Sequence, residues 1–217
     1  MFHHRRKLEI MKKRNIIDRV FPVKYKFYEM LYKQAYTNGL GVKALDNWVR
    51  NPSVAESEAL IHYVKEANDV RMKLEKDLIQ AFTTPFDRGD IYSISVGMHE
   101  VLNYAESSLL SMEAFDVKPN AIIISMVEQL KTGVDIFSEA VNDLERYPNK
   151  SEQAVAKMRD THIQIEKMYR DGMISVFASK DPMIAIKKRE VYHHIKDASS
   201  NLEETVDILH RIIVRLI

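Results

Sequence analysis

The chain has no cysteine, which excludes disulfides, thiolate metal sites and thiol nucleophiles and fits a reducing compartment. It does not need such staples, because a chain of 217 residues buries roughly 70% of its unfolded surface on folding. Glycine and proline are scarce, six of each, so turns are few and long regular elements are favoured. An excess of one charge sign is also missing. Lys+Arg 32 against Asp+Glu 31 leaves a net +1, which argues against nucleic-acid binding through bulk charge. Long apolar runs are absent as well: the greasiest spot, Ala121-Ile122-Ile123-Ile124, falls far short of the roughly 18–20 residues that span a bilayer. No glycine-rich phosphate loop, Gly-x-Ser-x-Gly elbow or His-Glu-x-x-His zinc helix occurs.

What is present is helical periodicity. Residues 1–20 form a basic arm, with Arg5, Arg6, Lys7, Lys12, Lys13, Arg14 and Arg19 opposed by Glu9 and Asp18. It lacks the apolar middle and cleavage site of a secretory signal, so a cytoplasmic protein is expected. The arm reads as a solvated tail or as an electrostatic contact for anionic lipid or an acidic partner. A first helix is predicted from about Pro22 to Val49, with Phe27, Leu31, Ala35, Val42, Leu45 and Val49 on one face. Gly39 and Gly41 mark a kink or the close approach of a neighbour. A second runs from Val54 to Phe82, turning inward Leu60, Ile61, Val64, Ala67, Val70, Leu74, Leu78 and Ala81. A third follows Asp87 and ends near Phe115, with Ile91, Ile94, Met98, Leu102, Ala105, Leu109 and Met112 inward. A fourth is expected over Ala121–Arg146, stopped by Tyr147-Pro148-Asn149-Lys150-Ser151. A fifth is expected over Glu152–Ala178, with His162 and Phe177 on its apolar stripe, and a sixth after Asp181-Pro182.

The breaks repeat. Asn51-Pro52 and Tyr147-Pro148 each close a first helix, Phe82 and Phe177 each close a second, and the offset is close to 95 residues both times. The expected architecture is therefore all-α: six long helices as two pseudo-repeated three-helix bundles, with repeats at 21–117 and 118–217 in one continuous domain.

Candidate chemistry is thin. A di-iron bundle needs two Glu-x-x-His pairs on separate helices, and only Glu190-Val191-Tyr192-His193 is found. Asp135, Glu139 and Asp143 recur every four residues and read better as a solvated face than as a metal stripe. His162 falls on an apolar stripe with Glu166 one turn on, and reads as a core histidine bonded to that carboxylate, with a metal pair or a partner contact as the alternatives. His99, Glu100 and Asn103 make a similar polar notch.

One stretch carries more. Phe82-Thr83-Thr84-Pro85-Phe86-Asp87-Arg88-Gly89-Asp90-Ile91 must turn the chain, since Pro85 lacks an N–H and drives Thr84 out of the α region while Asp87 can cap a new helix. The decapeptide resembles the F-[IT]-T-P-[FI]-D-R-x-D-I signature of the PhoU-like proteins encoded beside Pit-type phosphate transporters. Weaker similarities follow at Met98–Glu106, Met168-Tyr169-Arg170 and Lys187–Tyr192. The second-half turn from Phe177 to Pro182 lacks the wording, which points to Thr84, Pro85, Asp87, Arg88 and Asp90 as a partner-contact surface.

The resemblance implies two three-helix bundles and a non-enzymatic, cytoplasmic accessory protein of inorganic phosphate transport, peripheral at the inner membrane face and bound to a Pit-type transporter. A homodimer is left open, and nucleic acid is not an expected partner. A helical interaction scaffold unrelated to transport is the alternative, with a metal-binding helical-bundle enzyme behind it. The resemblance also implies metal clusters held by paired i, i+4 carboxylates, a spacing that puts two oxygen ligands on one helix face. The matching positions here are degenerate: His99 and Asn103 with Val64 and Asn68, then His162 and Glu166 with Lys196 and Ser200. Lys196 can bring to Glu166 the positive charge a metal would supply. No cofactor is therefore expected, beyond residual divalent or iron binding.

Overall fold

A computed structural model describes residues 25–217; the basic arm and the first residues of the predicted first helix lie outside them. Among the described residues there are six helices and no strand: α1 Phe27–Arg50, α2 Val54–Gln80, α3 Arg88–Phe115, α4 Ala121–Asp143, α5 Pro148–Phe177 and α6 Pro182–Leu216. Local chemistry explains the starts. Ser53 Oγ accepts from Glu56 N at 3.3 Å and opens α2, Asn120 Oδ1 accepts from Ile123 N at 3.0 Å and opens α4, and Asp181 Oδ1 accepts from Met183 N at 2.8 Å beside Pro182 to open α6. Asp116 closes α3 in the left-handed region, φ 53°, a conformation that a short polar side chain tolerates.

Several boundaries differ from expectation, among them α1, which starts at Phe27 rather than near Pro22, and α2, which stops at Gln80 rather than Phe82. The fourth helix ends at Asp143 rather than Arg146, in turns closed by Leu144 N to Val141 O and Arg146 N to Asp143 O. The stretch Tyr147–Ser151, read as a break, is the N-cap and first turn of α5. Pro148 is comfortable there because a helix's opening N–H groups need no partner. Ser151 then donates to the Ala140 carbonyl at 2.8 Å inside the core, which pins α5 to α4.

Helices α1, α2 and α3 pack on one another, as do α4, α5 and α6, and the two bundles join where α1 packs on α4 and α3 on α6. Corresponding helices of the repeat thus meet each other. Both pairs are antiparallel. Arg50 reaches Glu128 while Gly39 faces Asp135, and Gly97 faces Thr205 while Tyr104 lies against His194. One apolar core runs through both bundles, from Phe27 and Leu31 to Leu209 and Ile213. The predicted inward stripes are buried or half-buried, apart from Ile61 and Phe177, which are exposed. Close approach occurs at Gly41, where a Cβ would collide with Leu102, rather than at Gly39. A polar layer crosses this contact. Gln34 donates to the Ser95 carbonyl at 2.8 Å and accepts from Ser95 Oγ at 2.6 Å, and Asn38 donates to the Met98 carbonyl. Such buried pairs specify register because a slip would leave each group unsatisfied.

Candidate functional site

The turn Phe82–Ile91 is built by its own side chains. α2 stops at Gln80 with Ala81 extended, φ −65° and ψ 132°. Arg88 reaches back across the turn and donates to the carbonyls of Leu78 at 2.9 Å, Phe82 at 3.1 Å and Ala81. These include helix-end acceptors that have no intrahelical donor, and a cation is favoured at that end. Thr84 Oγ1 donates to the Phe86 carbonyl at 2.8 Å. Asp87 caps α3 by accepting from Asp90 N at 3.1 Å, as expected of it.

Asp90 is the surprise. Its carboxylate is buried and accepts from Arg211 at 3.0 and 2.6 Å and from Arg215 at 2.6 Å, both in the last turns of α6. The residue is 4% exposed, so it clamps one bundle to the other and cannot meet a partner. The Arg88 guanidinium is likewise engaged within the chain. Of the five residues expected as a contact surface, Pro85, Asp87 and Arg88 are exposed, the last with its guanidinium bonded within the turn, Thr84 is half-buried, and Phe82 beside them is 83% exposed.

The positions matched to the family's metal ligands sit between the second and third helices of each bundle. In the first, Asn103 Nδ2 lies 3.1 Å from His99 Nε2, while Asn68 accepts from Arg71, which also pairs with Glu75. Burial, and behind it the Arg71 charge, holds the His99 imidazole below its ordinary pKa. In the second bundle His162 does not bond Glu166. It faces α6, with Nδ1 2.9 Å from Ser199 Oγ and Nε2 3.0 Å from Glu203 Oε2. Glu166 instead lies between Arg170 at 3.4 Å and Lys196 at 3.9 Å. The correction follows from helix geometry: an i, i+4 pair shares a face, but a residue on the packed edge turns to the neighbouring helix when that helix offers partners. Among the described residues no three His, Asp or Glu side chains converge as a ligand set. A basic side chain stands at each place, Arg71 in one and Lys196 in the other, so these donors do not fit a metal cluster.

The acidic stripe of α4 has a different neighbour. Asp135 pairs with Lys131 at 2.5 Å and Asp143 with Lys150 at 2.6 Å. With Glu139 they border a groove between α1 and α4, about 430 Å³ around Tyr32, Tyr36 and Lys43 and about 300 Å³ further along, past Tyr28 and Tyr147. Burial, and behind it the Glu145 carboxylate, raises the Tyr28 phenol above its ordinary pKa. The four-residue spacing of Tyr28, Tyr32 and Tyr36 is the signal that would have found this groove, but aromatic residues at helical spacing read first as core.

Comparison with solved structures decides the fold. A PhoU-like protein from Shewanella oneidensis MR-1 superposes with a TM-score of 0.73 over 88% of this chain and 100% of that one, at 13% identity. The fold is PhoU-like. A second Shewanella oneidensis MR-1 structure, described as a PhoU-like phosphate regulatory protein, gives a TM-score of 0.63 over 87% of this chain and 96% of that one, also at 13% identity. In sequence, the PhoU-like chain is similar to a protein of Rhizobium meliloti (strain 1021) named "Putative pit accessory protein", 20% identical over 92% of this chain and 97% of that protein. It is also similar to the UPF0111 protein YkaA of Bacillus subtilis (strain 168), 22% identical over 64% of this chain and 70% of that one. No protein-family model matches the chain.

Proposed function

We propose that this PhoU-like chain is a non-enzymatic accessory protein that regulates inorganic phosphate transport by binding a Pit-type transporter at the cytoplasmic face of the membrane. The observation that carries this reading is the end-to-end likeness to the protein named as a pit accessory protein, 92% of this chain against 97% of that one, on a PhoU-like fold. A likeness that covers nearly all of that protein favours a shared role over a borrowed module. Among the described residues no helix is long and apolar enough to cross a membrane, so a place at the membrane requires a partner or a surface contact. Since Arg88 and Asp90 are engaged internally, the transporter contact narrows to Phe82, Pro85 and Asp87, with Thr84 behind them. The chain does this work without metal clusters, because Lys196 and Arg71 occupy the electrostatic place of the ions.

The test is phosphate uptake in cells whose only uptake route is a Pit-type transporter, with the chain present, absent, or carrying Phe82→Ser. A changed initial rate that the variant fails to restore supports the reading. Uptake indifferent to the chain opposes it.

A further inference from the structure

The turn between α5 and α6 leaves an unusual set of side chains in water. Ile174, Phe177, Met183, Ile184 and Ile186 are 45% to 73% exposed, with Ala178 and Pro182 also exposed between them. Large apolar side chains clustered at one turn mark a contact surface, whereas the same residues scattered singly would mean nothing. The expectation that Phe177 faces the core fails because Val176 takes the buried side of α5 there, and α5 runs on past the level of the α1–α2 turn.

The register shows by how much. Arg50, at the end of α1, pairs with Glu128 of α4, and Gly133 of α4 lies against Thr161 of α5. Carrying that antiparallel register back five residues sets Glu128 level with residue 166 of α5. Phe177 is eleven residues further, about 16 Å at the helical rise. The tip therefore lies well past the α1–α2 turn, and the α3–α4 connection stands beside its base, where Tyr192 bonds Asn120 and Lys187 lies near Asp116. Three grooves along α1 have no lining residue from the tip.

Charge surrounds the apolar cap. Lys180, Lys187, Lys188 and Arg189 flank it, against Asp171 and Asp181. Lys180 and Arg189 are exposed, and Lys187 and Lys188 half-buried. None of the four makes an ion pair among the described residues. Lys187 lies near the Asp116–Lys118 pair at the end of α3, and Asp181 is occupied in capping α6.

We propose that the α5–α6 turn is a membrane-surface anchor, inserting Phe177, Met183 and Ile184 among the headgroups of an anionic bilayer with its lysines and Arg189 on the phosphates. Apolar side chains on a convex tip ringed by cations match the headgroup region, where apolar depth and negative potential occur together. Net positive charge beside exposed apolar side chains favours an anionic lipid surface over an apolar protein patch. The anchor stands independently of the transporter reading, and the two fail separately.

Sedimentation of the full chain with vesicles tests it, comparing phosphatidylcholine alone with phosphatidylcholine containing about a third phosphatidylglycerol at about 0.1 M salt. Binding is expected on the anionic vesicles only. The triple variant Phe177→Gln, Met183→Gln, Ile184→Gln should bind at least tenfold more weakly while melting like the parent by circular dichroism, since all three positions are exposed. Because the chain has no cysteine, Ala178→Cys with an environment-sensitive dye reports insertion, with Glu58→Cys on α2 as control. A blue shift at 178 and none at 58 supports the anchor. Three results each overturn it: full binding by the triple variant, no shift at 178, or binding only to membranes that contain a transporter.

Discussion

Replacing Asp90 with Ala should loosen the joint between the bundles, and the structure sets the size of the effect. The carboxylate side chain is 6% exposed, while Arg211 and Arg215 are 51% and 55% exposed. Removing one partner of a fully buried ion pair costs about 3–5 kcal/mol, because the other charge is stranded without water. Here the stranded groups are two half-exposed guanidiniums that regain solvent, so the cost falls to about 2–3 kcal/mol. For a chain of this length that lowers the Tm by about 4–12 °C. Asp90→Asn keeps an acceptor and should lose about half as much. Arg215→Ala should cost about 1 kcal/mol, since Arg211 retains both its bonds. Thermal melts by circular dichroism or calorimetry read all three, and a double-mutant cycle of Asp90→Ala with Arg211→Ala isolates the coupling. An Asp90→Ala variant that melts within about 1 °C of the parent would show that the joint rests on the apolar α3–α6 contact alone, and the clamp would lose its energetic meaning.

Other consequences follow from single contacts. Gly172→Ala should destabilise by about 1–3 kcal/mol in chemical denaturation despite alanine's better helix propensity, because the new Cβ meets the ring of buried Tyr192. Tyr192→Phe removes the bond to Asn120 at 3.1 Å and should cost about 1 kcal/mol. Burial raises the Glu106 carboxyl above its ordinary pKa, so the folded protein holds that proton more tightly than the unfolded chain. Its contribution is full at acid pH and lost as pH rises through the folded pKa, and Glu106→Gln should therefore raise the Tm at neutral pH but not near pH 4. His99 has the opposite sense: burial, then Arg71, lowers its pKa, so stability should fall as pH drops below about 6.5. His99→Gln should remove that slope in melts taken across the range. Elemental analysis of protein purified without chelator should find no stoichiometric metal, and two or more tightly held ions per chain would contradict the role given to Lys196.

The helices were legible because each carries an apolar stripe at helical spacing. Leu60, Ala67, Leu74 and Leu78 of α2, and Ile91 to Met112 of α3, sit where their periodicity places them. The breaks between helices were legible from their prolines. Pro148 misled in one respect, since proline ends one helix and starts the next with equal ease, and only Ser151 reaching the Ala140 carbonyl shows that α5 begins there. The joint was not legible. Asp90 and Arg211 lie 121 residues apart, and no local pattern says that a capping-turn aspartate turns away from its own helix. His162 shows the same limit: Glu166 is its neighbour in spacing, while Ser199 and Glu203 are its neighbours in space. The turn Phe82–Ile91 carries its meaning differently from what its wording suggested. Most of its polar residues hold the turn and the two bundles together, and Phe82, Pro85 and Asp87 are among the residues it offers outward.

The most direct test of the proposed role is binding between the purified chain and a purified Pit-type phosphate transporter held in lipid nanodiscs, measured against empty nanodiscs of the same lipid. The account predicts saturable binding to the loaded discs beyond any lipid contribution, weakened at least tenfold by Phe82→Ser and unaffected by Glu58→Gln. Equal binding to loaded and empty discs would contradict it.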